Sequence, residues 1–291
     1  MFENATSLAP LADLADWRVV LYLVVVALFL WLAKQANQAL AGFKLDEQLT
    51  EKDNKAVATS FAGFLLAQCL ILHGVLTSPS AASTWSQDLG ATALWSLIGG
   101  ALLLLARVIN DKIIFPSFCN KKELVQDRNV GLGAAQAGSY LATAFIIRAV
   151  VSDPTSAPLG QEIALSAIWF LITQGLFILF SRLYQRLTSF DLHAELEKDN
   201  PAAGVAFAGS LSAYGLLLAF FIQRYDSLLA LVVWAAIAAA LLCLIRLVID
   251  KLLLPGSRLD DEVARDANWG AALIEVATTI GTALLISGSF A

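Results

Sequence analysis

The chain has 291 residues, of which 58% are hydrophobic and only 15% are charged. Soluble globular domains are roughly a quarter charged, so this chain has too little polar material to cover a water-facing surface. The formal net charge is −5 and no dense cluster of Lys and Arg occurs, which argues against a nucleic-acid partner. The composition therefore indicates an integral membrane protein whose first partner is the lipid bilayer.

The N-terminal segment is acidic and lacks the basic region of a signal peptide, so the apolar run that follows is predicted to be a first transmembrane helix and not a cleaved signal peptide. Residues 1–16 are predicted to form an extracytoplasmic tail, given the orientation derived below. The apolar stretches that follow are long enough to cross a hydrocarbon core of ~30 Å as helices of ~20 residues. The eight predicted spans are 17–33, 56–78, 89–106, 129–147, 163–181, 200–223, 227–245 and 268–291.

The basic residues alternate between the connections of these spans. Sixteen of the 19 Lys and Arg residues fall in the odd-numbered connections, and only Arg18, Arg148 and Arg224 fall on the other side. The positive-inside rule then places the odd-numbered connections in the cytoplasm and both termini outside. The sequence thus predicts an all-α integral membrane protein of eight transmembrane helices with N-out/C-out topology.

An internal duplication organises the chain. The segment EKDNKAVATSFAG at 51–63 returns 146 residues later as EKDNPAAGVAFAG at 197–209. The segments ARVINDKIIFP at 106–116 and ELVQDRNVG at 123–131 return 139 residues later as IRLVIDKLLLP and EVARDANWG. A repeat with an even number of spans inserts both of its copies the same way up, so two parallel four-helix repeats are predicted.

The spans and the duplication give the predicted domain boundaries. Residues 17–150 form the first four-helix membrane repeat, and residues 161–291 form the second. Residues 151–160 are predicted to be an extracytoplasmic linker between them.

Three motifs of the repeat together resemble a known family. EKDNxAxxxxxAG opens the second helix of each unit, RxxxDKxxxP closes the third and DxNxG opens the fourth. A unit of this kind resembles the YjfL-like bacterial inner-membrane family, domain-of-unknown-function family 350, and the resemblance covers essentially the whole chain as two tandem copies. It implies a multi-pass protein of the bacterial inner membrane, and it brings no established activity. The first copy departs at Gln136, where the second has Glu275.

The EKDN motifs directly precede apolar helices. Asn54 and Asn200 are good N-caps, and the aspartates before them place negative charge near a helix N-terminus, so capping at the membrane interface is the favoured interpretation. The alternative is a cytoplasmic rim that docks a partner or admits ions. The carboxylates of that rim are Glu51, Asp53, Glu197 and Asp199. After the caps, small residues at four-residue spacing predict close helix packing.

Two basic and acidic pairs complete the predicted rim. Arg107 and Asp111 lie four residues apart at the end of the third span, as do Arg246 and Asp250 at the end of the seventh, so each pair shares a helix face. The favoured interpretation is an interfacial ion pair that anchors the helix, and the alternative is a gate or binding ring.

The fourth and eighth spans each carry a stripe of small and polar residues at helical spacing. The candidate intramembrane polar or ion site consists of Asn129, Gln136, Asn268, Glu275 and Thr279. Glu275 lies about 10 Å along the helix from Asn268, and an intramembrane carboxylate indicates function by default. Glu275 is either a proton or cation site or a hydrogen-bonding acid that holds helices together. Its counterpart Gln136 favours the second, because Gln does not titrate.

Metal and enzyme functions have little support in the sequence. Cys69 and His73 lie one helical turn apart, but the other histidine, His193, lies in a distant loop, so a packed pair on an apolar helix face is the favoured interpretation. No metal and no cofactor are predicted. HExxH, GxSxG and P-loop motifs do not occur, so no catalytic residue is assigned and the protein is predicted not to be an enzyme.

Two functions follow from these features. The first is a channel or transporter for a small ion, a cation or protons, which uses the polar stripes of the fourth and eighth helices and could assemble as a homo-oligomer. The alternative is a non-transporting structural or regulatory subunit that docks a cytoplasmic protein partner.

Overall fold

The structure, a computed structural model, describes residues 17–78, 84–119, 121–152, 157–254 and 256–289. The predicted N-terminal tail and the centre of the predicted linker lie outside the described residues. The helices are α1 Trp17–Ala41, α2 Lys55–Thr77, α3 Trp85–Ile113, α4 Val130–Val151, α5 Leu159–Leu187, α6 Leu192–Glu197, α7 Pro201–Arg224, α8 Leu228–Val248 and α9 Trp269–Ser289. π-helical turns cover Glu47–Glu51, Lys121–Gln126, Ile249–Leu253 and Asp261–Arg265.

The prediction of eight membrane spans is confirmed. Within the described ranges, eight helices are long and apolar enough to cross a membrane, and only α6 among the helices is too short. The odd-numbered spans are longer than predicted, because α1, α3 and α5 continue past Lys34, Arg107 and Arg182. Long basic side chains reach the headgroup region while their backbone stays helical, so a charge does not end a membrane helix.

The helices α2, α4, α7 and α9 pack side by side in that order and form what we call the inner row. The central members, α4 and α7, are mostly buried, whereas α1 has very few buried residues. The N-termini of the inner row meet at one end of the bundle together with the turns Glu47–Glu51, Lys121–Gln126, α6 and Asp261–Arg265. We call this end the charged face.

Glycine brings the two repeats into close contact at the centre of the row. A Cβ atom on Gly204 would lie 2.0 Å from the carbonyl oxygen of Gly131, and one on Gly138 would lie 2.3 Å from the Cα of Ala208. Inside lipid, helices associate mainly by van der Waals packing, which close backbone approach maximises. The α4–α7 interface between the repeats therefore requires glycine at these positions, because any side chain there would clash.

All four helices of the inner row begin with the same local structure. The residue before each N-cap position has a left-handed backbone, at Asp53, Arg128, Asp199 and Ala267. An asparagine follows in every case, and its side-chain oxygen accepts a backbone N–H of the first helical turn. The capping interpretation of Asn54 and Asn200 is confirmed, and the same turn also starts α4 and α9.

The cap asparagines also tie neighbouring helices together. Asn54 Nδ2 donates to the carbonyl oxygen of Leu124 (2.8 Å), in the turn before α4, and Asn200 Nδ2 donates to that of Val263 (2.9 Å), in the turn before α9. Asn129 makes the corresponding bond to the carbonyl of Leu196, in α6 before α7. Each asparagine therefore reaches forward to the turn that precedes the next helix of the row.

Replacing Asn200 with alanine is expected to lower the free energy of unfolding by about 2–4 kcal/mol, because a helix cap and the partner of a buried carbonyl are lost together. Asn268→Ala is the matched control, since Asn268 is exposed and reaches no later turn, and it is expected to cost about 1 kcal/mol. Denaturant unfolding measures both values, with the protein dilute enough in detergent micelles to be monomeric. Equal losses would show that the forward bond does not stabilise the fold.

Candidate functional site

A buried charge cluster joins four helices of the second repeat. The carboxylate of Glu275 on α9 has no solvent-exposed surface. Its Oε1 atom accepts hydrogen bonds from Arg246 on α8, from the Tyr184 hydroxyl on α5 (3.2 Å) and from the Ser210 hydroxyl on α7 (3.1 Å). The Arg246 guanidinium supplies the positive charge that an ionised carboxylate needs in apolar surroundings.

Arg246 links this cluster to the charged face. Its Nη2 atom donates to the carboxylate of Asp260, beside the Asp261–Arg265 turn. Its Nη1 atom also donates to the Tyr184 hydroxyl (2.8 Å), and its guanidinium carbon lies 4.9 Å from the centre of that ring. One cation thus faces two carboxylates. The second oxygen of Glu275, Oε2, is buried and has no hydrogen-bond partner in the part of the chain that the structure describes.

The first repeat builds the corresponding cluster with a different acid. Arg107 Nε lies 3.8 Å from Asp111 Oδ2, and Arg107 also donates to the carbonyl oxygen of Asn37 (3.1 Å). Gln136 Nε2 donates to Asp111 (3.5 Å), and Gln136 Oε1 accepts from the Ser60 hydroxyl (2.7 Å). The aspartate one turn along the same helix therefore does here what Glu275 does in the second repeat.

The predicted pairing of Arg246 with Asp250 is wrong. The α-helix ends at Val248, and the π-helical turn that follows breaks the four-residue register. Among the described residues, Arg246 forms its ion pairs with Asp260 and Glu275 and forms none with Asp250. Asp250 instead accepts a hydrogen bond from the backbone N–H of Leu259 (2.6 Å). The arginines were predicted to lie on a charged rim, but Arg107 is buried and Arg246 is nearly so.

Four of the five residues of the candidate polar stripe are buried in helix interfaces. Asn129, Gln136, Glu275 and Thr279 are all buried, and Thr279 donates to the carbonyl oxygen of Glu275 within its own helix (2.7 Å). Asn268 is exposed at the charged face. None of the described cavities is lined by any of these five residues.

The carboxylates of the EKDN motifs all lie exposed on the charged face. Asp199 accepts a hydrogen bond from the backbone N–H of Gly131 (3.1 Å), so it caps α4 across the interface between the repeats. Its counterpart Asp53 has no hydrogen-bond or ion-pair partner among the described residues, and the structure gives Glu51 and Glu197 no shared site.

A mixed-charge hollow of about 790 Å³ opens on the charged face of the second repeat. Its charged lining residues are Asp250, Lys251, Arg258, Asp260, Asp261 and Arg265. Beside it, a hydrogen bond from the Arg265 guanidinium lowers the pKa of the Asp266 carboxyl. Both members of that exposed pair are therefore charged at neutral pH.

Metal binding gains no geometric support. The described ranges contain no group of three or more His, Cys, Asp and Glu side chains placed to hold an ion. Cys69 and His73 were predicted to pack against apolar neighbours, but both are exposed on α2, because that helix is at the end of the inner row.

Several partners in the clusters were not identified from the sequence. Tyr184, Ser210 and Asp260 come from three separate segments, and no spacing ties them to Glu275. Tyr184 and Ser210 are polar residues at the edge of, or within, an apolar run, whereas Asp260 lies in a polar connection and gave no signal. Gln174, on α5, also donates to the buried Asn110 side chain (2.7 Å) between the two repeats.

Together, these features define a multi-pass integral membrane protein built from two tandem four-helix units. The family model described as Domain of Unknown Function (DUF350) matches the chain twice, over residues 8–151 and 158–290. The chain therefore belongs to the DUF350 family, and the resemblance noted from its motifs is confirmed.

One curated relative supports the same class of protein. The chain is similar to a UPF0719 transmembrane protein of Aquifex aeolicus (strain VF5), with 25% identity over 252 residues that cover 83% of this chain and 88% of the relative. No solved structure matches the chain.

Proposed function

We propose that the protein is a non-transporting structural or regulatory subunit of the bacterial inner membrane that presents its charged face to a cytoplasmic protein. The enclosure of Glu275 carries this proposal. Three donors, from Arg246, Tyr184 and Ser210, converge on one of its oxygens, and no described cavity reaches it. An ion pathway needs sites that are entered and left easily, and a carboxylate held in this way is a poor one.

The two clusters have a clear structural use. Buried ion pairs contribute little net stability over apolar packing, but removal of one partner is costly, so they favour one arrangement of the helices over others. Glu275 and Arg246 fix the meeting point of α5, α7, α8 and α9. In the first repeat, Gln136 and Asp111 join the helices in the same way. This supports a packing role for Glu275, the counterpart of Gln136.

The charged face is the surface that we propose for docking. The positive-inside rule places it in the cytoplasm. Its turns are held by the cap asparagines, so the surface is preformed. The hollow there carries three basic and three acidic side chains. This mixture suits a protein partner that carries charges of both signs, and it does not suit a nucleic acid. We assign no catalytic activity to it.

A second candidate function, proton-linked transport, is favoured by one specific observation. Glu275 Oε2 is buried without a partner, and Arg246 connects the same side chain to Asp260 at the charged face. A cavity of about 460 Å³ lies beside both Arg246 and Asp260. Protons that entered from the charged face would therefore have Glu275 as their deepest acceptor.

Flux measurements in proteoliposomes separate the two candidates. Under proton, sodium and potassium gradients, the wild-type protein is expected to give no more flux than protein-free vesicles. Flux that is lost in Glu275→Gln and kept in the matched control Glu162→Gln, which lies at the opposite face, would establish the second candidate instead. Flux that survives Glu275→Gln would contradict both candidates.

The docking surface has its own readout in cells. A photo-crosslinking amino acid at Arg258, in the hollow, is expected to give a covalent adduct with another protein, identified by mass spectrometry. The same amino acid at the exposed Gln161, on the opposite face, is the control and should give none. Absence of adducts from every charged position of the hollow would contradict docking there.

A further inference from the structure

The interface between the two repeats has a counterpart that a single chain leaves open. In the duplication, α4 corresponds to α9 and α7 corresponds to α2. The contact between α4 and α7 at the centre of the row therefore corresponds to a contact between α9 and α2, which stand at the two ends of the row. The surfaces that would make this second contact face outwards.

The open face of α9 repeats the face by which α4 packs on α7. On α4, the contact residues are Gly131, Gly138 and Ala142. Their counterparts on α9 are Gly270, Ala277 and Gly281. Gly270 and Ala277 are exposed, and no atom lies within 4 Å of the position that a Cβ on Gly281 would take.

The open face of α2 repeats the face by which α7 packs on α4. The contact residues of α7 are Gly204, Ala208 and Gly215, and their counterparts on α2 are the exposed residues Ala58, Ala62 and Cys69. At one pair of positions, the larger and the smaller residue are exchanged between the two helices. Gly215 packs against Ala142 within the chain, whereas the corresponding pair is Cys69 and Gly281, so the larger side chain moves to the other helix.

Two polar contacts across the occupied interface are not made by the corresponding residues. Asp199 accepts from the Gly131 N–H, and its counterpart Asp53 is exposed and has no partner among the described residues. Asn129 Nδ2 donates to a carbonyl in α6, the element before α7. Its counterpart Asn268 is exposed and donates only to the nearby Glu262 (2.7 Å). The element before α2, Glu47–Glu51, would supply the missing carbonyl.

We propose that α9 of one copy packs on α2 of a second copy in the membrane, through the same contact that α4 and α7 make inside the chain. Asp53 then caps α9 of the neighbour as Asp199 caps α4, and Asn268 reaches the Glu47–Glu51 turn of the neighbour. The contact joins two different surfaces, so it is heterologous and propagates from copy to copy. It also covers the polar side chain of His73, which is exposed in a single copy.

A disulfide between the native Cys69 and a cysteine at position 281 tests this proposal, which does not depend on the proposed function. In a chain with Cys119→Ser and Cys243→Ser, Gly281→Cys places both partners on every copy, and the open space at Gly281 accepts the side chain. Oxidation in native membranes is expected to give a ladder of dimers, trimers and higher multiples. The ladder should disappear on reduction.

Two control proteins make the result specific. The parent with Cys69 alone and a variant with Leu171→Cys, on the lipid-exposed side of α5, are expected to stay monomeric on oxidation. Dimers from Cys69 alone would show a symmetric α2–α2 contact and overturn the proposal. Equal cross-linking of Leu171→Cys and Gly281→Cys, or no cross-linking of Gly281→Cys, would also overturn it.

The unpaired aspartate gives an independent readout in the same background. Asp53→Gly keeps the left-handed backbone without strain and removes the acceptor for the neighbour's α9, so the ladder yield is expected to fall about tenfold. Glu51→Ala, on the same turn, is the control and should leave the yield unchanged. An unchanged yield in Asp53→Gly would contradict the proposed α2–α9 register.

Discussion

Replacement of Arg246 with leucine is expected to lower the free energy of unfolding by about 3–5 kcal/mol, because Glu275 then keeps a buried charge without its cation. Tyr184 and Ser210 still donate to that carboxylate, but neither neutralises it. Unfolding in mixed detergent micelles, followed by circular dichroism, measures the change. Arg258→Leu removes an exposed arginine from the same repeat and is expected to stay within about 0.5 kcal/mol of wild type.

The double variant Arg246→Leu/Glu275→Leu identifies the cause of that loss. Removal of both charges eliminates the uncompensated carboxylate, so we expect the double variant to recover at least about 2 kcal/mol relative to Arg246→Leu. Additive losses would mean that the two side chains do not act as a pair. The role assigned to Glu275 in fixing the helix arrangement would then be wrong.

The second large effect concerns the contact between the repeats. Gly204→Ala places a Cβ 2.0 Å from the carbonyl oxygen of Gly131, and backbone atoms cannot rotate away as a side chain does. The helices α4 and α7 must then separate along their length, so a loss of about 3 kcal/mol or more is expected, near the upper end for overpacking. Thermal unfolding in detergent measures it.

A Gly→Ala substitution on the neighbouring helix α5 is expected to change the stability in the opposite direction. Gly175 is exposed on α5, and no atom lies within 4 Å of its Cβ position. Gly175→Ala therefore adds helix propensity without a clash and is expected to stabilise the protein by about 0.5–1 kcal/mol. If both variants lost equal stability, the close approach at Gly204 would not be the cause of its effect.

The spans and the duplication could be predicted because hydropathy and repeated motifs are local properties of the chain. Asn54 and Asn200 were identified as caps for the same reason, since a cap acts on the helix that follows it. The forward bonds of these asparagines could not be predicted, because they depend on the order α2, α4, α7, α9 in space. That order leaves only a weak trace in the sequence, the Gly and Ala content of the even-numbered spans.

The candidate site was predicted in part. Gln136 and Glu275 were identified because a polar side chain in an apolar run is conspicuous. Their surroundings were not, since Tyr184 and Asp260 reach Glu275 and Arg246 only through tertiary packing. The pairing of Arg246 with Asp250 failed because spacing assumes an uninterrupted α-helix, and the π-helical turn at Ile249–Leu253 removes that register.

The forward reach of the cap asparagines gives the assembly of the chain a direction. The carbonyl that Asn54 binds belongs to Leu124, which is synthesised one helical hairpin later, and the same holds for Asn129 and α6. The helices α2, α4 and α7 therefore enter the bilayer with this forward hydrogen bond still unmade, and their cap carboxamides donate at that point only to a side chain upstream. The next hairpin to leave the ribosome supplies the acceptor of the forward bond, so each newly inserted pair of helices completes the one before it.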